Sequence, residues 1–253
     1  MIEPGLRRTA TGISATLFSE HAEAVSLCVF ADDLQTETER LPLTQGAEGW
    51  WSVLWEQAPE CFAYGFRVSG PYAPAQGHRF KANKLLADPY TKALRGDLTD
   101  DPALYGFTDF ETGEGFSSLD SAGFVPKCWF ERNPAAPPQW NRPNTRWRDT
   151  VIYETHLKGF SQQHPALSAD QRGTFQAYGP HSPLVTYLAD LGVSAVEFMP
   201  LMTFYDERHL KPLGLRNYWG YNPQHFFVPT ARYSADSDQV RAIQQAVQSF
   251  HDT

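Results

Sequence analysis

Val151-Ile152-Tyr153-Glu154-Thr155-His156-Leu157-Lys158-Gly159-Phe160 is an apolar, β-rich run that follows a proline-rich stretch and closes on a glycine. It predicts a strand with a loop behind it. Downstream, Leu184, Tyr187, Leu188 and Leu191 recur at helical spacing, Gly192 stops the helix, and residues 193–201 form a short apolar run closed by Pro200. Strand, helix and strand in this order make a βαβ unit, which implies neighbouring parallel strands. Next, Asn217-Tyr218-Trp219-Gly220-Tyr221-Asn222-Pro223 sets three aromatics around a glycine in a segment too polar at its ends for simple core. An amphipathic helix follows, with Asp236 or Asp238 near its N-terminus and Val240, Ile243, Val247 and Phe250 along one face. No strand follows before Thr253, so that face is expected to lack a partner.

Towards the N-terminus the period changes. Residues 11–18, 24–30, 37–43, 49–55 and 61–69 are five short β-like runs, separated by turn or polar residues at the spacing of a β-sandwich. In the second run Val25, Leu27 and Val29 alternate with Ser26, Cys28 and Phe30, so one face enters a core and the other packs more loosely. In the fourth, alternation puts Trp51 and Trp55 on one face and Trp50 on the other, and large aromatics there read first as core and contact residues, then as sugar platforms. Residues 70–130 read as irregular, a wrap around the sandwich. Pro134, Pro137, Pro138 and Pro143 exclude a helix or central strand from residues 132–146 and mark a linker. The expected organisation is an all-β module over 1–131, a linker over 132–146 and a βαβ portion over 147–253.

Composition excludes several classes of function. A formal net charge of −8 disfavours nucleic acid, whose phosphates need an accessible surplus of Lys and Arg. No run approaches the roughly 18 apolar residues that span a bilayer, and Met1-Ile2-Glu3-Pro4-Gly5 lacks the basic start and apolar stretch of a secretory signal. No membrane association is expected, and a cytoplasmic location is the default. Cys28, Cys61 and Cys128 are odd in number and far apart, which argues against a disulfide framework or a thiolate zinc site and predicts buried or half-buried thiols. The histidines include no His-Glu-x-x-His pair, and Gly113-Glu114-Gly115 has no strand before it, so no metal, phosphate loop or other cofactor is expected.

Three segments carry a resemblance. The run from Tyr153 to Phe160, the strand-like Gly192-Val193-Ser194-Ala195-Val196-Glu197-Phe198-Met199-Pro200 and the Asn217-to-Pro223 motif resemble the start of the catalytic barrel of the α-amylase superfamily, glycoside hydrolase family 13, in its glycogen-debranching and isoamylase branch. In the N-terminal half, Tyr64-Gly65-Phe66-Arg67-Val68-Ser69-Gly70-Pro71-Tyr72 and His78-Arg79-Phe80-Lys81-Ala82-Asn83-Lys84-Leu85-Leu86-Ala87-Asp88-Pro89-Tyr90 are similar to the same branch. Lys158-Gly159-Phe160 resembles debranching enzymes more than branching transferases or trehalohydrolases. The resemblance implies an immunoglobulin-like sandwich of the family-48 carbohydrate-binding type, followed by the truncated start of a (β/α)8 barrel. It implies α-glucan (glycogen, limit dextrin) as partner and retaining hydrolysis of α-1,6 branch linkages as the chemistry of the full-length family.

By the same resemblance, Tyr221 stacks on the sugar ring just before the scissile bond. Asn217 and Asn222 are further candidates for substrate binding, although each suits a turn cap slightly better. Trp219 completes the candidate set, with Tyr218 and Trp219 read first as packing residues. Glu154 and His156 fall at alternate positions of the expected strand, where an interior supporting layer is favoured over an acid/base pair. The nucleophile, the acid and the third carboxylate of this superfamily come from later barrel strands, so no catalytic residue is assigned within the chain and the chain alone is expected to be inactive. A non-catalytic α-glucan-binding protein, or a truncated relative such as a branching transferase or trehalohydrolase, is the alternative.

Overall fold

A computed structural model of the chain describes residues 3–131, 138–236 and 238–253. Two compact units, 1–134 and 135–253, divide it. Of the expected linker, residues 132–137 lie outside the described residues; 138–146 contain neither helix nor strand.

The first unit is a β-sandwich. Its strands are β1 (Gly5–Arg8), β2 (Ile13–Phe18), β3 (Ala24–Phe30), β4 (Glu37–Pro42), β5 (Thr44–Gln45), β6 (Trp50–Trp55), β7 (Cys61–Ser69), the short β8 (Tyr72–Ala73), β9 (His78–Arg79) and β10 (Leu94–Arg95), and β11 (Lys127–Glu131). One sheet runs β1-β2-β6-β5 and the other β10-β11-β7-β3-β4, with β8 and β9 paired separately. All these pairings are antiparallel. Alternation decides what enters the core: Val25, Leu27 and Val29 of β3 meet Phe62, Tyr64, Phe66 and Val68 of β7, with Ile13, Ala15, Leu17 and Trp51 from the facing sheet. Trp51 and Trp55 therefore serve the core, whereas Trp50 sets its ring edge-on to the exposed Phe18, 5.4 Å between centroids.

The opposite face of the five-stranded sheet is not loosely packed. Cys28, Phe30 and Ala63 are buried there beneath Leu85 and Ala122. Gly65 permits this, because a Cβ would lie 2.8 Å from the Leu85 side chain. Phe66 and Leu86 then exchange backbone hydrogen bonds of 2.7 and 2.8 Å. Residues 80–126 are thus an outer layer of the sandwich, and β11, expected as irregular chain, pairs with β7. Buried cations pin this layer: Arg67 forks onto both Asp120 oxygens at 2.9 and 3.1 Å and reaches the Ala82 carbonyl at 3.1 Å, while Lys127 donates to the Ala122 and Val125 carbonyls. Burial pushes the thiols up, Cys28 to about 11 and Cys128 to about 12, so both stay protonated and inert. Cys61, expected to be at least half-buried, is exposed at the start of β7.

The second unit holds β12 (Ile152–Thr155), α1 (Leu157–Ser161), α2 (Pro183–Asp190), β13 (Ala195–Phe198) and α3 (Gln239–His251). The two strands are parallel, with Tyr153 opposite Val196 and Thr155 opposite Phe198. Ser182 caps α2 and Gly192, at φ +86°, ends the turn after it. The expected strand over 151–160 stops at Thr155: His156, its backbone still extended, is the N-cap of α1, so Lys158-Gly159-Phe160 is helical. Asp238 caps α3 by accepting from the Arg241 amide at 3.0 Å. The apolar face of α3 is not left without partners. Ala242 and Ala246, with Ile243 and Phe250 beside them, join a core containing Phe175, Tyr178 and Leu184; the buried face is rotated towards Ala242, Ala246 and Ser249, leaving Val240 exposed.

Candidate functional site

Parallel pairing places the C-terminal ends of β12 and β13 side by side, and the chain leaving both ends builds one cluster. His156 emerges first. Its Nδ1 accepts from the Gly159 amide at 2.9 Å, which puts the ring proton on Nε2. That N–H donates to the Tyr218 carbonyl at 2.7 Å, and the Tyr233 hydroxyl stands 3.2 Å from the same nitrogen. Burial pushes the Tyr233 phenol up to about 12. The imidazole also stacks on the Tyr218 ring. Gly159 leaves room for this, since a Cβ there would lie 2.5 Å from the Tyr218 hydroxyl.

Beyond β13, Phe204 bridges to Pro223 and Met202 to Pro229, folding residues 201–230 back on themselves. Asn217 locks the tip. Its amide nitrogen Nδ2 donates to Glu207 Oε1 at 2.7 Å, its Oδ1 accepts from the Gly220 N–H at 2.8 Å, and its backbone N–H donates to Asp206 Oδ1 at 2.8 Å. Arg232 forks onto both Asp206 oxygens at 2.7 and 2.9 Å. Burial pushes the Asp206 carboxyl up, but Arg232 and the Asn217 amide outweigh it and hold it below the usual carboxylate range. Gly220 adopts φ +83°, and a Cβ there would lie 3.1 Å from the Phe204 ring and from Pro200. Only glycine accepts both constraints readily.

This anchoring presents two rings to solvent: Tyr221 is 63% exposed and Trp219 62%. Trp219 is therefore not a packing residue, whereas Tyr218 packs against His156. Asn222 reaches back to the Tyr205 carbonyl at 3.4 Å, and Asn217 spends its side chain on the loop, so both act as turn-forming residues in this structure. Glu154 stays in β12, exposed beside Glu197 of β13, while His156 is committed to Gly159 and Tyr218; the two do not form an acid/base pair. The roles of Gly159, Asp206, Glu207, Tyr233 and Arg232 carry no local sequence signature.

Residues 4–91 match the family described as carbohydrate-binding module 48 (isoamylase N-terminal domain). The chain is 40% identical over 251 residues to a glycogen debranching enzyme of Klebsiella pneumoniae, covering 95% of this chain and 35% of that protein. It is 39% identical over 249 residues to the one from Escherichia fergusonii, again covering 95% and 35%. The chain is homologous to the N-terminal part of glycogen debranching enzymes of glycoside hydrolase family 13. The chain spans about a third of the length of the curated relatives it matches. Among solved structures, the catalytic module of the glycogen-degrading pneumococcal virulence factor SpuA superposes with a TM-score of 0.66 at 22% identity, covering 100% of this chain and 36% of that one. A pullulanase from Anoxybacillus sp. LM18-11 gives 0.66 at 20% identity, covering 99% and 32%. These likenesses establish the fold of the region, a β-sandwich followed by a mixed α/β segment. Among the described residues no helix is long and apolar enough to cross a membrane.

Proposed function

We propose that the chain is the N-terminal third of a glycogen-debranching α-1,6-glucosidase. In this reading 1–131 is a family-48 α-glucan module, 132–146 a linker, and 147–253 the first βαβ portion of a (β/α)8 barrel. The observation that carries it is the aromatic and polar cluster at the C-terminal ends of parallel β12 and β13, the end of a barrel at which active sites are built. Tyr221 offers its ring face to the C–H face of the glucose before the scissile bond, and Trp219 extends that wall. Asn217 and Asn222 hold the loop that aims them. The chemistry is retaining hydrolysis: a carboxylate attacks the anomeric carbon, a carboxylic acid protonates the leaving oxygen, and water then releases the glycosyl-enzyme. Those carboxylates come from barrel strands outside residues 1–253, and the cytoplasm is where we place the enzyme.

A non-catalytic α-glucan-binding role is the second reading, favoured by the exposed Phe18 ring set against Trp50 on the outer face of the four-stranded sheet. A hybrid separates the two. Residues 1–253 replace the aligned segment of the Klebsiella pneumoniae enzyme, and release of linear malto-oligosaccharides from phosphorylase limit dextrin is measured. Debranching is expected. A folded hybrid without activity, beside an active parent, would leave only the binding role.

A further inference from the structure

A cavity of about 690 Å³ in the first unit is lined by Leu17 and Phe18 of β2, by Phe66 and Val68 of β7 and by residues from the segment 72–107. That volume suits a small molecule. Five aromatic rings line it: Phe18, Phe66, Tyr72, Phe80 and Phe107. Its charged lining is Arg79, Lys81 and Lys84, with no Asp or Glu among the lining residues, in a chain of formal net charge −8.

The three cations differ in how they are satisfied. Lys84 donates to the Ala103 carbonyl at 2.7 Å, the Leu119 carbonyl at 2.8 Å and Ser117 Oγ at 3.2 Å, which uses all three of its protons. Lys81 has no such set. It is 7% exposed, and its ammonium has no hydrogen-bond partner. Two rings cover it instead, with Nζ 3.8 Å from the Tyr72 centroid and 3.2 Å from that of Phe116. Gly106 leaves space for its stem, since a Cβ there would lie 3.1 Å from Lys81 Cε. Arg79 is exposed and is the cross-strand partner of Tyr72, and both also line the neighbouring hollow with Glu114 and Phe116. An ammonium taken out of water without hydrogen bonds is costly, and an anion that supplies them recovers that cost.

We propose that this cavity binds a nucleoside monophosphate, its phosphate held by Arg79 and Lys81 and its base stacked among the phenylalanine rings. The guanidinium fork suits a phosphate, and a flat base suits aromatic walls. Phe116 is exposed and its ring lies over the ammonium from outside the cavity lining, so the phosphate reaches Lys81 by displacing that ring. A sugar phosphate fits less well, because its hydroxyls would lose water against an apolar wall and gain few partners. The acidity of the chain as a whole opposes a polynucleotide but not a single phosphate met by two local cations.

Isothermal titration calorimetry on the 253-residue chain tests this with AMP, adenosine, inorganic phosphate and glucose 6-phosphate. AMP is expected to bind at least about tenfold more tightly than any of the other three, equivalent to one factor of ten in Kd. Arg79→Gln, a surface change, is expected to weaken AMP by about tenfold with the unfolding midpoint unchanged, and Lys81→Met to remove binding. If Lys81→Met does not fold, Arg79→Gln decides alone. AMP binding no tighter than phosphate or glucose 6-phosphate, or equally tight in Arg79→Gln, overturns the proposal.

Discussion

His156 lies flat on Tyr218, ring centroids 4.2 Å apart and planes within 6° of parallel, although 62 residues separate them. The contact ties the end of β12 to the loop that displays Tyr221. His156→Ala removes the stack, the α1 cap and the Tyr218 carbonyl bond together, with an expected cost of roughly 2–3 kcal/mol to the second unit. His156→Asn keeps a cap acceptor without the stack and should fall between. Urea unfolding together with exchange of the Gly159 amide reads both; an unaltered Gly159 amide in His156→Ala would remove the capping role.

Asn217 is a structural residue in this account. In Asn217→Asp the Oδ1 bond to Gly220 survives, but a carboxylate replaces the donor that faces Glu207 Oε1. A loss of about 1–3 kcal/mol is expected at neutral pH, where two carboxylates face each other, and acid should relieve that repulsion. Equal stability of variant and wild type from neutral to acid pH would contradict the geometry.

Gly220→Ala meets two obstacles, the positive φ and the 3.1 Å approach to Phe204 and Pro200. The backbone term alone is roughly 1–2 kcal/mol. The expected sign is a destabilised loop, visible as faster proteolysis within 205–221 while β2 and β7 keep their protection.

Acid should act in opposite directions through Asp88 and Asp206. Asp88 is fully buried, and burial raises its carboxyl although Tyr90 N–H and Tyr64 O–H donate to it at 2.8 Å. A raised folded value means a contribution that is complete below the unfolded pKa and lost as pH rises through the folded one. Asp206 is held low, so its contribution is present above the unfolded pKa and lost as pH falls through the folded one. Relative to Asp88→Asn, the wild-type sandwich should therefore gain stability from pH 7 to pH 4. Relative to Asp206→Asn, the second unit should lose it at lower pH still. Domain-resolved hydrogen exchange against pH measures both slopes, and slopes of the same sign would refute the assignment.

The sandwich strands were legible because period-two alternation is local: the runs at 24–30 and 61–69 match β3 and β7 residue for residue. β11 was not, because Lys127 is a buried cation whose stability depends on carbonyls from residues 122 and 125, and nothing in the run from 127 to 131 announces them. At residue 156 periodicity failed for a different reason. Leu157-Lys158-Gly159-Phe160 carries no helical signal strong enough to override a β-rich prefix, and the helix starts only because a histidine side chain caps it. The α3 face was shifted in phase: Ala242, Ala246 and Ser249 are its buried residues, Ile243 and Phe250 are partly buried beside them with Phe250 against Tyr178, and Val240 is exposed. Tyr221 and Gly220 were readable as a displayed ring on a glycine turn. The Asp206–Arg232–Asn217 network behind them was not, because it joins residues 11 to 26 positions apart through ordinary polar side chains.

The measurement that bears most directly on the whole account is the effect of Tyr221→Ala on kcat for limit dextrin in the Klebsiella pneumoniae hybrid. Tyr221 is exposed and supports no core, so the unfolding midpoint should stay put while kcat falls by about a hundredfold, the scale of a misplaced substrate. Unchanged turnover in a folded Tyr221→Ala hybrid would contradict the assignment of this loop to the sugar-binding wall.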